Sequence, residues 1–222
     1  MILAIDTSTQ WMGIALLDDD QIIYEKTWKT NRRHTVELSP AIQAALRDTG
    51  TEVNRVDAVA VAIGPGSFTS LRIGLAAAKG FALALRIPII GVPSLDVTAA
   101  GVPASENDLI CLLRAGRGRY AAMRYQNVEG RWKKDGDYYL ATAEEIEGQI
   151  TSRTIVCGEM TPEEKQVLSR RWRNTILVDP PTNLRRPAIL ASIGSTRYEN
   201  KDFDDSATIA PIYLRTVKNI DK

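Results

Sequence analysis

AVAVAIGPGSFTSLRIGLAAAKGFALAL, residues 58–85, decides the fold. Its Ala/Val run reads as a fully buried strand, Asp57–Ile63, broken by Gly64-Pro65-Gly66. An Ala-rich helix pattern then begins around Ser67, with Ser67, Thr69 or Ser70 as candidate caps. Glycines at a strand-to-helix turn let the backbone approach an anion, and the helix N-terminus supplies free N–H groups to hold it. The same Gly-Pro-Gly is also an ordinary tight turn. The helix is unusual in its small side chains: Gly74/Ala78, Ala76/Gly80 and Gly80/Ala84 recur four apart, so another backbone can come close. Each interior glycine costs on the order of 1 kcal/mol against alanine, a cost that close packing on the sheet or on a partner would offset.

Outward from this block, the chain opens MILAIDTSTQWMGIALLDDDQIIYEKTW, residues 1–28. It reads as strand Ile2–Ile5, a polar turn over Asp6-Thr7-Ser8-Thr9, strand Met12–Leu17, an acidic turn and strand Gln21–Trp28. A helix follows over His34–Thr49, with Pro40 bending it or marking its start, and a strand over Ile87–Val92 follows the Ala-rich helix. The second half repeats the opening: strands Leu109–Leu113, Tyr120–Tyr125 and Trp132–Tyr139, then a helix Thr142–Gln149 with Glu145 three residues past a Thr cap. Strand Thr154–Cys157, a helix over Pro162–Arg171, strand Thr175–Val178 and a helix near Pro187–Tyr198 complete it. The stretch Val92–Pro103 reads as the link between two domains, 1–100 and 101–222, with the last helix or tail packing back on the first.

Composition sets bounds. At 222 residues and 44% hydrophobic, the chain can bury a sizeable core, and a net charge of +1 exerts no global pull toward nucleic acid or membrane. Cys111 and Cys157 both sit in apolar runs and read as buried thiols in a reducing, cytoplasmic setting with no signal peptide. No apolar run reaches membrane-spanning length without interruption, so no membrane partner is expected.

The Asp-Thr-Ser-Thr hairpin resembles the opening of actin-like and sugar-kinase-like domains, where the hairpin cups nucleotide phosphates and the carboxylate orients a metal-bound water. Together with RRHTVELSP (32–40), the GPGSFTSLRIG block, IPIIGVPSLD (87–96), RAGRGRYAAMRY (114–125) and APIYLR (210–215), it resembles the bacterial TsaB (YeaZ-like) family of tRNA threonylcarbamoyladenosine biosynthesis proteins, degenerate paralogues of TsaD. The resemblance implies a duplicated actin-like (ASKHA) α/β fold, two domains with mixed sheets flanked by helices. It implies a cytoplasmic pseudoenzyme without activity of its own. Such a subunit heterodimerises with a TsaD-like catalytic subunit, works with a TsaE-like ATPase, and meets tRNA through the complex. The transfer is of threonylcarbamoyl to N6 of the adenosine next to the anticodon, and the subunit forms a homodimer when TsaD is absent.

Site residues follow from the same resemblance. No cofactor is expected to be required; ATP or ADP is a candidate ligand at the complex interface, and Asp6, Thr7, Ser8, Gly64, Gly66 and Ser67 are the candidates for a residual nucleotide contact. No catalytic residue and no metal ligand are expected. The histidine pair of TsaD corresponds here to Ser94 and Thr98, poor replacements for imidazole, and one histidine in the chain cannot make a pair. The partner-binding face is expected on the two first helices: His34 with Leu38, Ile42 and Leu46 on one stripe, Leu71, Leu75 and Ala78 on the other. Arg114 replaces an acidic residue of the relatives. With Arg117, Arg119, Arg124, Arg131, Lys133 and Lys134 it forms a basic hairpin that could touch tRNA phosphates or an acidic partner. The alternative is an ATP-dependent kinase or ATPase of the actin-like superfamily.

Overall fold

Short apolar runs and two polar turns fold the opening into a meander of β1 (Ile2–Asp6), β2 (Trp11–Asp18) and β3 (Gln21–Lys29). The computed structural model describes residues 1–171 and 173–214. After α1 (His34–Asp48) come β4 (Ala58–Ala62), α2 (Phe68–Leu85) and β5 (Ile89–Val92), and both strands run parallel to β1 in a sheet ordered β3-β2-β1-β4-β5. The second sheet holds β6 (Asp108–Gly116), β7 (Arg119–Val128), β8 (Arg131–Ala141), β9 (Thr154–Gly158) and β10 (Thr175–Leu177). Its order, β10-β9-β6-β7-β8, and its strand senses repeat those of the first. The fold is the duplicated α/β architecture expected, two mixed five-stranded sheets with helices on their faces.

The period-2 pattern of each strand sorts the first core into two layers. Leu3, Ile5, Ile14, Val59 and Val61 face α1 and α2. Ile2, Ala4, Ala15, Ala58, Ala60 and Ala62 face the other way, onto Leu190 and Ala191 of the last described helix, α7 (Pro187–Glu199), which follows the short α6 (Pro180–Asn183). The alanines on that side let α7 lie close: a Cβ on Gly194 would sit 2.5 Å from that of Ala60. In the second half α4 (Ala143–Gln149) and α5 (Pro162–Leu168) each start on a complete capping box, Thr142/Glu145 and Thr161/Glu164. Cys111 and Cys157 are free, buried and paired across β6 and β9, with sulfurs 3.3 Å apart; burial pushes the Cys111 thiol well above its usual range.

Three expectations need correction or completion. The segment Val92–Pro103, expected as the link between two domains, contains a helix over Ser94–Ala100, α3. Five of its seven residues are buried, so it has no polar face and shows no amphipathic period. Pro40 neither starts nor ends α1. It lies six residues inside on the solvent side, four residues after the exposed Val36, whose carbonyl loses a helical partner where water can reach it. The third concerns the expected partner face. Leu38, Ile42, Leu71, Leu75 and Ala78 point into the protein's own core, at 0–5% exposure, His34 is buried beside them, and Leu46 packs on the same core. Leucine stripes on these helices mark the side facing the sheet.

Candidate functional site

Asp6 ends β1, and the turn after it, Thr7–Gln10, folds over the mouth of the first sheet. The Ser8 N–H donates to the Asp6 carboxylate at 2.8 Å, and the Ser8 carbonyl accepts the Ser67 N–H at 2.7 Å. Thr7 donates its hydroxyl to the Ser70 carbonyl at 2.7 Å and packs against Gly74, where a Cβ would lie 2.3 Å from the Thr7 hydroxyl oxygen. The Gly64 N–H donates to the Ser94 hydroxyl at 3.0 Å, which also shares a 2.6 Å bond with the Ser8 hydroxyl. Gly64 has φ +99, and a Cβ on Gly66 would sit 2.3 Å from the Ser8 carbonyl oxygen. The hairpin and the glycine-rich loop are therefore brought together as the sequence suggested, but they bond to each other.

The charged part of the cleft comes from both halves. Arg185, just before α7, donates to Asp6, and both side chains are buried. It reaches Glu159, the residue after β9, at 3.4 Å, and the Thr9 hydroxyl at 3.4 Å; Thr9 donates to Glu159 at 2.6 Å. Burial opposes the charge of Arg185, but the Asp6 and Glu159 carboxylates outweigh it and hold the guanidinium above its usual pKa. Beside this cluster a cavity of about 770 Å³ opens between the halves, its wall including Lys29, Arg32, His34, Arg114 and Lys165. His34 donates Nε2–H to the Thr9 carbonyl at 2.8 Å, which fixes its tautomer and makes it a brace for the turn.

An actin-like cleft implies a metal-bound nucleotide, and these residues do not fit one. The Asp6 carboxylate is closed by a guanidinium and a backbone amide. Two loop N–H groups that could cradle phosphate are spent on Ser94 and Ser8. The second half's counterpart of the glycine-rich loop, between β9 and α5, carries the Glu159 carboxylate where phosphate would need donors. Ser94 and Thr98 are also engaged, the Thr98 hydroxyl donating to the Ser94 carbonyl at 3.0 Å. Among the described residues no three His, Cys, Asp or Glu side chains gather as a ligand set for a metal.

Two further surfaces bear on function. The basic hairpin is not one cationic face. Arg114 pairs with Glu164, Arg119 with Glu145, Arg124 with Asp108 and Lys134 with Asp96, acids that come from α5, α4, β6 and α3. The outer side of α2, by contrast, is open. Ala76, Gly80, Leu83 and Ala84 are exposed, Leu83 at 82%, and nothing lies within 4 Å of a Cβ placed on Gly80. At the start of α2 the Arg72 guanidinium lies 3.9 Å from the centre of the Phe68 ring, and Phe68 stacks on Tyr213 at 4.8 Å. The closing P-x-Y-L-R motif thus straps the glycine-rich loop, with the Ile212 N–H donating to the Ile63 carbonyl at 2.7 Å. Arg215 of that motif lies outside the described residues.

Known proteins agree with this architecture. Residues 25–169 match the model of the TsaD family, tRNA N6-adenosine threonylcarbamoyltransferase. The chain is 32% identical to the tRNA threonylcarbamoyladenosine biosynthesis protein TsaB of Bacillus subtilis, over 96% of this chain and 93% of that one. Among solved structures, a Pseudomonas aeruginosa protein with similarity to peptidase YEAZ superposes with a TM-score of 0.79 at 22% identity, covering 96% of this chain and 99% of that one. A ROK hexokinase from Thermus thermophilus superposes at 0.51 and 11% identity, over 88% and 99% of the two chains, which extends the likeness of fold to sugar kinases. On sequence and on architecture the chain belongs to the TsaB family.

Proposed function

We propose that this chain is the non-catalytic partner subunit of a tRNA N6-adenosine threonylcarbamoyltransferase, acting by heterodimerising with a TsaD-like catalytic subunit. Membership of the TsaB family supports a role in tRNA threonylcarbamoyladenosine biosynthesis. The finer reading is carried by the outer face of α2, with Ala76, Gly80, Leu83 and Ala84 open to solvent. Small residues with one projecting leucine let a facing helix come close and seat a side chain. Over its 18 residues α2 is apolar enough to cross a membrane by composition. Its inner side, however, closes the first core through Leu75, Ala78 and Ala82, so the helix is not free to enter a bilayer. A protein is the occupant this leaves: the catalytic paralogue, or a second copy of the chain in a homodimer when that paralogue is absent.

In this reading the subunit is cytoplasmic and needs no cofactor of its own. A TsaE-like ATPase and tRNA join through the complex, and any ATP or ADP sits at the shared interface. A kinase or ATPase would need an Asp6 free to orient a metal, and Asp6 is committed to Arg185.

The test mixes the chain with its own organism's TsaD, follows mass by light scattering, and assays threonylcarbamoyl transfer to tRNA. Complex formation, with transfer only when both are present, is the expected result. Leu83→Glu should fold like the parent, within about 0.5 kcal/mol, and lose both complex and stimulation. Leu75→Glu cannot serve, because that residue is 5% exposed in the core and its failure would report unfolding. No complex with the parent chain would overturn the partner reading; an intact complex with Leu83→Glu would overturn the choice of face.

A further inference from the structure

Three charged groups meet in the cleft, drawn from points far apart in the chain. Asp6 comes from the first sheet, Glu159 from the second, and Arg185 from the connection that leads into α7. Arg185 and Asp6 are separated by 179 positions, and their side chains are 2% and 3% exposed. A guanidinium is a planar fork that can serve two carboxylates at once, and it stays charged when buried. Asp6 occupies the position where the fold implies a metal–nucleotide complex, and Glu159 occupies the loop that mirrors the phosphate loop.

We propose that Arg185 is a built-in counter-ion that takes the place of the metal–nucleotide complex in this cleft and clamps the two halves of the molecule around it. Arg185 is positioned by α7, whose first residue, Pro187, lies against Gly13 of β2, where a Cβ would be 3.0 Å away. From there the guanidinium reaches back across the cleft to Glu159. Thr9 closes the circuit by donating to Glu159 at 2.6 Å. Opening the cleft would strip Arg185 from one carboxylate or the other, so the clamped arrangement needs no ligand to hold it.

The same geometry predicts a hidden site. Without the guanidinium, the Asp6 and Glu159 carboxylates and the Thr9 hydroxyl are left around its space, an all-oxygen set suited to a hard divalent cation. The inference rests on the fold and this cleft alone, so failure of the partner reading leaves it standing.

The experiment measures thermal unfolding and calorimetric binding of the full chain with Mn²⁺ and with Mg–ATP. Neither should bind to or shift the parent at millimolar concentration. Arg185→Ala should lower Tm by roughly 10 °C, as loss of one member of a buried ion network does, and millimolar Mn²⁺ should restore part of that loss. Adding Asp6→Asn should abolish the rescue. Arg185→Lys keeps the charge without the fork; it should be less destabilised and indifferent to Mn²⁺, which serves if the alanine variant fails to fold. Mg–ATP binding by the parent that Asp6→Asn removes would overturn the proposal, as would an Arg185→Ala or Arg185→Lys variant that melts like the parent, or a Mn²⁺ response equal in the parent and Arg185→Ala.

Discussion

The loop after β4 and the loop after β9 hold the same place in two sheets of the same order, and they have diverged in opposite directions. The first, Gly64–Ser67, is neutral, rich in glycine and folded onto the Thr7–Thr9 turn; it leads into an 18-residue helix whose outer face is small and apolar. The second carries Glu159 and leads through a Thr161/Glu164 capping box into a seven-residue helix with two acids in its first turn. Duplication preserved the strand order, which is a matter of backbone pairing and buried layers. It did not preserve the chemistry at the strand ends, where side chains meet a ligand, a partner or each other. One loop now leads into a helix with an open, small-residue outer face, and the other supplies a carboxylate to an internal ion network.

The comparison is broken most severely at the glycines that set each loop. Gly158 ends β9 at φ +127, and a Cβ there would lie 1.9 Å from the Leu112 carbonyl oxygen, part of the central strand β6. Gly158→Ala therefore combines backbone strain with a clash that nothing flexible can relieve, and should cost about 4 kcal/mol in chemical denaturation. Gly66→Ala meets Ser8, whose carbonyl oxygen would lie 2.3 Å away and whose Cβ 3.2 Å away, without a positive φ. It should cost about 2 kcal/mol and act by prising the loop from the turn. Equal costs would mean that the two loops are held alike and that their divergence is only chemical.

How much of this was legible follows the same division. Apolar runs and turn residues revealed all ten strands and most helices, because those signals are local. The two capping boxes need only a Thr and a Glu three positions later, and the second of them, at Thr161, was open to the same test. Helix α3 was hidden because burial on nearly all sides erased its period. On α2 both faces are built of Ala, Gly and Leu, so periodicity could not tell Leu75, inside, from Leu83, outside. Arg185 gave no signal, since it reads as one of two loop arginines before a helix and its carboxylates lie in other elements. Nor could the sequence show that four cations of the basic hairpin, Arg114, Arg119, Arg124 and Lys134, are matched to acids that folding alone brings near.

A subtler difference lies in what the outer face of α2 costs the molecule. Gly80 is exposed in the middle of that helix, with open space where a Cβ would go. Gly80→Ala should raise stability by about 1 kcal/mol, a gain visible as a higher urea midpoint at unchanged slope. If the face is a close helix–helix contact, the same variant should weaken association with the catalytic subunit while the fold grows stronger. Stability and affinity that rise together, or an affinity that does not change, would place the contact elsewhere. No position on α5 offers this trade, because its surface is charged.

The smallest effect separates the two helix starts by pH. Ser67 makes no side-chain cap on α2, and no acid lies in that first turn. At α5, burial works against the charge of Glu164, but the neighbouring Tyr120 hydroxyl, hydrogen bonds from Thr161 and the nearby Arg114 outweigh it and hold the carboxyl below its ordinary 4.5. A depressed carboxyl contributes its stability above the unfolded-state value and loses it as the pH falls through the folded one. Glu164→Gln keeps an oxygen for the cap and removes only the charge, so it should cost about 0.5 kcal/mol at neutral pH. Well below 4.5 the parent is protonated too, and the difference should vanish. Hydrogen exchange read along the chain should then show α5 losing protection on acidification before α2 does. Loss at both helices together would mean that acid acts on the whole molecule before it reaches the surface cap.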